Sequence, residues 1–165
     1  MRAWALRSKD VAALTNPAYW GLVLACGVDG YSGECAAPMP VTVAMLVLPL
    51  VGGDDLLTQL PRTTRTSLQS WLMANATIRA TMPARVRASV ELSRDALIFL
   101  LSRRHLRVTD GGELEIGAHR PRFAAARGDD SHEIRTRCQR AQLVGRLLAR
   151  AGSAATVYTL MGIAP

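Results

Sequence analysis

Lysine is almost missing from this chain: Lys9 is the only one among 20 basic residues, so the formal charge of +7 is carried by arginine. Aromatics are scarce as well, at 5% of 165 residues, which removes the stacking platform that binders of single-stranded nucleic acid use. Cysteine is limited to Cys26, Cys35 and Cys138. The number is odd and no Cys-x-x-Cys or Cys/His pair has ligand spacing, so neither a disulfide framework nor a zinc site is encoded. They read as buried free thiols in a reducing compartment. The longest apolar run, Pro40–Val51, falls short of the ~20 residues that span a bilayer. The opening MRAWALRSKDVAAL has no signal-peptide core. A cytoplasmic protein without membrane contact is expected.

Motifs for chemistry are missing too. There is no phosphate-binding Gly-x-x-x-x-Gly-Lys-Ser/Thr loop and no Gly-x-Ser-x-Gly elbow. His105, His119 and His132 are too scattered to hold a metal. Gly52-Gly53 and Gly111-Gly112 read as turns. The adjacent acids Asp54-Asp55 and Asp129-Asp130 suit helix N-termini better than acid/base work. The expectation is a non-enzyme with no catalytic residue, cofactor, metal or small-molecule substrate.

What is present is a well-formed local pattern at Ser93–Ile116, SRDALIFLLSRRHLRVTDGGELEI. Ser93 is placed to cap a helix by accepting from the free N–H groups of its first turn. Leu97, Leu100 and Leu101 give that helix a buried stripe at i, i+3, i+4. The period then changes to 2: Leu106 and Val108 fall on one side of a strand, Arg107 and Thr109 on the other. Leu114 and Ile116 against Glu113 and Glu115 repeat the pattern. Between the strands, Asp110-Gly111-Gly112 supplies the positive φ of a short hairpin loop. Pairing about it sets Arg107 opposite Glu115 on the wet face and Val108 opposite Leu114 on the dry one. A helix running straight into such a ribbon is how a winged helix-turn-helix ends, and that fold binds DNA or protein and seldom does chemistry.

With 49% apolar residues, the chain can bury a real core as a single domain, 1–165. The expected fold is mainly α with one β-hairpin: a winged helix-turn-helix core with flanking N- and C-terminal helices. Three regions divide it: an N-terminal helical region 9–51, a winged-helix region 56–118 and C-terminal helices 130–165. In the first, Asn16-Pro17 starts a helix with a polar cap and proline at N1. It carries Tyr19, Trp20, Val23 and Leu24 and ends near Gly27–Gly33. Met39–Val51 follows; its β-branched residues fit a strand, its length favours a buried helix, and Pro49 has to sit near an end of either.

In the second region, Thr66–Asn75 is a helix with Leu68, Trp71 and Leu72 on one face. Thr77–Glu91 is helical and broken or restarted at Pro83, before the Ser93 helix and the ribbon. The polar stretch His119–Asp130 is a linker, and Asp130-Ser131-His132-Glu133 is a capping-box signature. Cys138, Ala141, Val144, Leu147 and Leu148 then form a helical stripe that Gly152 ends as C′. A short apolar segment, Ala154–Met161, closes at Gly162.

A basic balance suits nucleic acid and acidic protein surfaces equally. Arg79, Arg85, Arg87 and Arg94 lie on or beside the stretch before the Ser93 helix, and Arg103, Arg104 and Arg107 cluster where it meets the wing. The middle of that helix, Ala-Leu-Ile-Phe-Leu-Leu, offers no donors to base edges. Protein docking therefore ranks first, with these arginines as contacts to phosphate or to an acidic partner.

Several blocks in order resemble a known family: Asn16-Pro17-Ala18-Tyr19; MPVTVAMLVLPLV at 39–51; Leu60-Pro61-Arg62-Thr63-Thr64-Arg65; Ser67-Leu68-Gln69-Ser70-Trp71-Leu72; Arg94 to Leu100; and the tail LVGRLLARAGSAATVYTLMGIAP. Together they look like the middle component of bacterial three-component ABC-ATPase systems, among which Lamassu-type defence belongs. Gly52-Gly53-Asp54-Asp55 departs from that pattern, standing where a His/Lys-containing turn is expected. The resemblance implies an accessory subunit between an SMC-like coiled-coil ABC ATPase and an effector, in a system acting against phage or plasmids. DNA would be met through the complex. It brings no catalytic residues with it. Tyr19, Trp20 and Trp71 in the blocks, with Tyr158 and Leu160 in the apolar closing segment, are the candidate docking residues. A DNA-binding winged-helix regulator is the alternative.

Overall fold

The computed structural model describes residues 15–119 and 130–163. Residues 9–14 of the first region and most of the 119–130 linker therefore lie outside the described residues. So does the capping-box contact of Asp130 and Ser131.

Helix α1, Pro17–Cys35, starts as its residues dictate. The Asn16 side chain accepts from the backbone N–H of Ala18 at 2.9 Å and of Tyr19 at 3.4 Å, and Pro17 fills N1. It does not end in the Gly27–Gly33 stretch but runs through it to Cys35. Gly27 and Gly30 lie where α1 meets helix α7, Asp130–Arg150. A Cβ on Gly30 would stand 2.2 Å from the Gln142 carbonyl oxygen, and one on Gly145 would stand 2.0 Å from that of Gly27. Backbone lies against backbone, a contact only glycine permits. Glycine here serves packing between two helices, and that outweighs its poor helix propensity.

After α1 the chain forms a two-residue strand β1, Met39–Pro40, and two short helices, α2 (Val41–Ala44) and α3 (Val47–Val51). Thus Met39–Val51 is mostly buried helix, interrupted once. Pro49 sits in the first turn of α3, where its missing N–H has no intrahelical partner to lose. Helix α4, Asp54–Gln59, carries both acids in its first turn, in keeping with the helix dipole.

Helix α5, Leu68–Ala74, is capped by Ser67, whose hydroxyl accepts from the Ser70 N–H at 3.1 Å. Leu68, Trp71 and Leu72 are buried, and Trp71 Nε1 donates to the Gln59 carbonyl at 2.9 Å. The next helix overturns two expectations. Helix α6, Ala76–Ser102, runs 27 residues without a break at Pro83 and without a start at Ser93. Ser93 is fully buried, its hydroxyl has no partner, and it belongs to a buried stripe with Ala96 and Leu100. Ile78 and Met82 are buried on the N-terminal side of Pro83. Packing on both sides of the proline outweighs the single ladder bond it removes.

Helix α6 ends with Arg104 at φ 58°. The Arg104 N–H donates to Leu101 O at 3.1 Å and the His105 N–H to Leu100 O at 2.9 Å, a Schellman pattern built without glycine. The hairpin follows, β2 (Leu106–Val108) and β3 (Glu113–Ile116), in the expected register: Arg107 faces Glu115 and Val108 faces Leu114. Gly112 at φ 76° closes the loop after a turn from Thr109. Two details differ. Val108 is 48% exposed while Leu114 is fully buried, and β1 adds a third strand, giving the order β1-β3-β2 with Met39 opposite Leu114. The fold is thus mainly helical with a three-stranded antiparallel sheet rather than a lone hairpin.

On α7, Cys138, Ala141, Val144, Leu147 and Leu148 are all buried. Gly152 at φ 98° follows the helix as C′, and Ser153 caps helix α8, Ala154–Leu160. One hydrophobic cluster joins residues of α1, α3, α6, α7 and α8. Cys26 and Cys138 are buried free thiols, whereas Cys35 is exposed. No helix among the described residues is long and apolar enough to cross a membrane.

Candidate functional site

The most elaborate polar cluster is built around Arg137 on α7, whose side chain is only 6% exposed. Its Nη1 donates to the carbonyls of Val51 at 2.7 Å and Gly52 at 3.0 Å, and its Nη2 to Asp54 Oδ1 at 2.6 Å and Glu133 Oε1 at 3.2 Å. Its guanidinium carbon lies 5.5 Å from the centroid of the Trp20 ring. Tyr19 meets Trp20 edge-on and donates from its hydroxyl to Glu133 Oε1 at 3.3 Å. Burial pushes the Tyr19 hydroxyl above the usual phenol range, against the pull of Arg137. Burial alone would lower the Arg137 guanidinium, but Asp54, Tyr19 and Glu133 hold it above its ordinary value. The cluster fastens the Gly52–Asp55 turn to α1 and α7. It is a clamp, since both terminal nitrogens of the guanidinium are spent on backbone carbonyls and on carboxylates of the same chain, while the buried Nε has no partner.

The candidate docking residues divide by burial. Trp20 and Trp71 lie in the core, and Tyr19 is half-buried beside the Arg137 clamp. Tyr158, half-buried on α8, donates to the Thr42 carbonyl at 2.9 Å, and Leu160 is half-buried two residues on. The closing segment packs back on the body of the protein.

The arginines divide by partner. Arg85 pairs with Asp55, whose carboxyl it holds below the usual range, and Arg107 pairs with Glu115 at 2.6 Å. Arg79 donates from Nε to the Leu160 carbonyl at 2.8 Å, and Arg103 lies 5.8 Å over the Phe99 ring. Arg87, Arg94 and Arg104 are exposed. The cluster expected where helix meets wing is therefore partly neutralised, with Arg107 paired to Glu115 and Arg103 laid over Phe99. What the structure gathers instead is Arg62, Arg140 and Arg146, around one cavity. Their separation in the sequence hid them, as did the place of Arg62 in a loop.

The exposed side of α6 is the other notable surface. Arg87 and Arg94 share a face seven residues apart, with Val90 at 39% and Ile98 at 45% exposure along it. At its N-terminal end this side opens into a groove of about 510 Å³, lined among others by Ala76, Arg79, Ala80 and Pro83 of α6, Met73 of α5 and Gly162. Met73 is 74% exposed there. Three of the four exposed large hydrophobic residues among those described thus lie in this groove or on α6. A row of this kind is unusual on a surface meant only for water.

The described residues contain no group of three or more His, Cys, Asp or Glu side chains able to hold a metal ion. Fold and surface together describe a mainly helical protein with a small antiparallel sheet and a long helix face open to contact. The chain belongs to the ABC-three component (ABC-3C) system Middle Component 3 family, whose model matches residues 4–165. It is a middle component of a system of several subunits. No curated protein and no solved structure matches it.

Proposed function

We propose that this chain is a non-catalytic subunit that bridges an SMC-like ABC ATPase and an effector in a bacterial defence system against phage or plasmids. The observation that carries the reading is the family match across residues 4–165. The open face of α6 supports it physically. Apolar side chains such as Val90 and Ile98 exclude water at the centre of an interface, while Arg79, Arg87 and Arg94 along it favour an acidic partner and fix register. Leu160 borders this surface through the Arg79 bond.

A winged helix-turn-helix core, with its winged-helix region at 56–118, belongs to the same reading. Its support is the order helix, strand, helices, long helix and hairpin, with the strands arranged β1-β3-β2. In that frame α6 stands in the place of the recognition helix, and its exposed residues serve protein contact. DNA is met through the assembled complex.

Co-purification of the tagged chain with the products of its neighbouring genes tests the proposal. Recovery of both neighbours with it is expected; recovery of the chain alone, in the presence of both, overturns the proposal.

A further inference from the structure

Arg62, Arg140 and Arg146 line one cavity of about 420 Å³ together with Thr136, Gln139 and Leu143. Five of these six residues come from the solvent side of α7, at i, i+3, i+4, i+7 and i+10, so the helix presents them as one row. The sixth, Arg62, belongs to the loop after α4. Arg140 holds that loop in place by donating from Nη1 to the Pro61 carbonyl at 3.1 Å. Leu143, nearly buried, forms an apolar floor.

The charge in this cavity is unbalanced. Three arginines line it and, among the described residues, no acidic residue does. Elsewhere the fold pairs arginine with acid, as in Arg85–Asp55, Arg107–Glu115, Arg137–Asp54 and Arg150–Glu34. Like charges gathered in a concavity repel one another, and the walls focus their field onto whatever enters. An anion relieves that repulsion. Guanidinium forks match phosphoryl oxygens in bidentate fashion, and the Thr136 hydroxyl and Gln139 amide add neutral donors. A single carboxylate carries too little charge for three arginines. The volume falls in the ordinary range of small-ligand pockets, about 300–1,000 Å³.

We propose that Arg62, Arg140 and Arg146 form a binding site for a small free ligand carrying two or more phosphoryl groups. A free oligophosphate and a nucleic-acid backbone share this chemistry, and the concave shape favours the free ligand.

Calorimetric titration of the full chain at physiological ionic strength, with inorganic pyrophosphate and separately with a short DNA duplex, tests the site. Pyrophosphate is expected to bind saturably at one site per chain. Arg62→Ala and Arg146→Ala are each expected to weaken it about tenfold, with melting temperatures unchanged. The paired variant Arg87→Ala/Arg94→Ala on α6 is expected to bind pyrophosphate as the native chain does. Absence of saturable binding overturns the proposal, as does equal weakening by the α6 variant. Tighter binding of the duplex than of pyrophosphate at equal phosphate concentration also overturns it.

Discussion

Arg137 shows why some residues declare their roles in a sequence and others do not. The cap at Asn16 is legible because its partners lie within three residues, and the side chain acts as its chemistry requires. Arg137 is not, because the carbonyls and the Asp54 carboxylate it holds come from a turn more than 80 residues earlier. Its one local signal was Glu133 at i−4. The Gly52-Gly53-Asp54-Asp55 turn, which departs from the expected family pattern, is the turn this side chain grips. Arg137→Ala strips donors from the Val51 and Gly52 carbonyls and leaves the Trp20 face without its cation. A loss of about 3 kcal/mol in urea unfolding is expected. Arg137→Lys is expected to recover little of it, because one ammonium cannot replace a fork reaching two carbonyls and two carboxylates.

Helix α6 shows the same limit at greater length. Pro83 and Ser93 are both strong local signals of a helix boundary, and both are overruled by what packs around them. The hairpin register was read correctly because alternation and loop chemistry are local properties. The third strand was not, because two residues, Met39 and Pro40, carry no pattern of their own. Gly27 and Gly30 of α1 misled in the same way, since the backbone they lie against belongs to α7, more than 100 residues on. Ser93 gives a test whose sign decides. As an N-cap, Ser93→Ala would cost about 1 kcal/mol. As a buried hydroxyl without a partner inside a helix, the same change removes an unsatisfied group and improves helix propensity. A gain of up to about 1 kcal/mol is expected by chemical denaturation.

The assembled fold links burial to pH. A hydrogen bond to Cys138 together with burial raises the Cys26 thiol, and burial raises the hydroxyls of Tyr19, Tyr31 and Tyr158. An acid whose folded pKa exceeds its unfolded one gives up its proton on unfolding. The stability it supplies is therefore complete below the unfolded pKa and lost as pH rises. Thermal stability is expected to fall from about pH 8.5, where an unfolded thiol ionises, and more steeply above about pH 10. Cys26→Ala is expected to delay the first fall. The core that creates this dependence faces inward, and the face we propose for other subunits lies outside it, on α6. Val90→Glu and Ile98→Glu together place acid on that face without entering the core. Quantifying how much of both neighbouring gene products co-purifies with this variant, beside its melting temperature, settles whether α6 is the docking face. A native melting temperature with at least one neighbour lost is the expected result; full retention of both neighbours would contradict it.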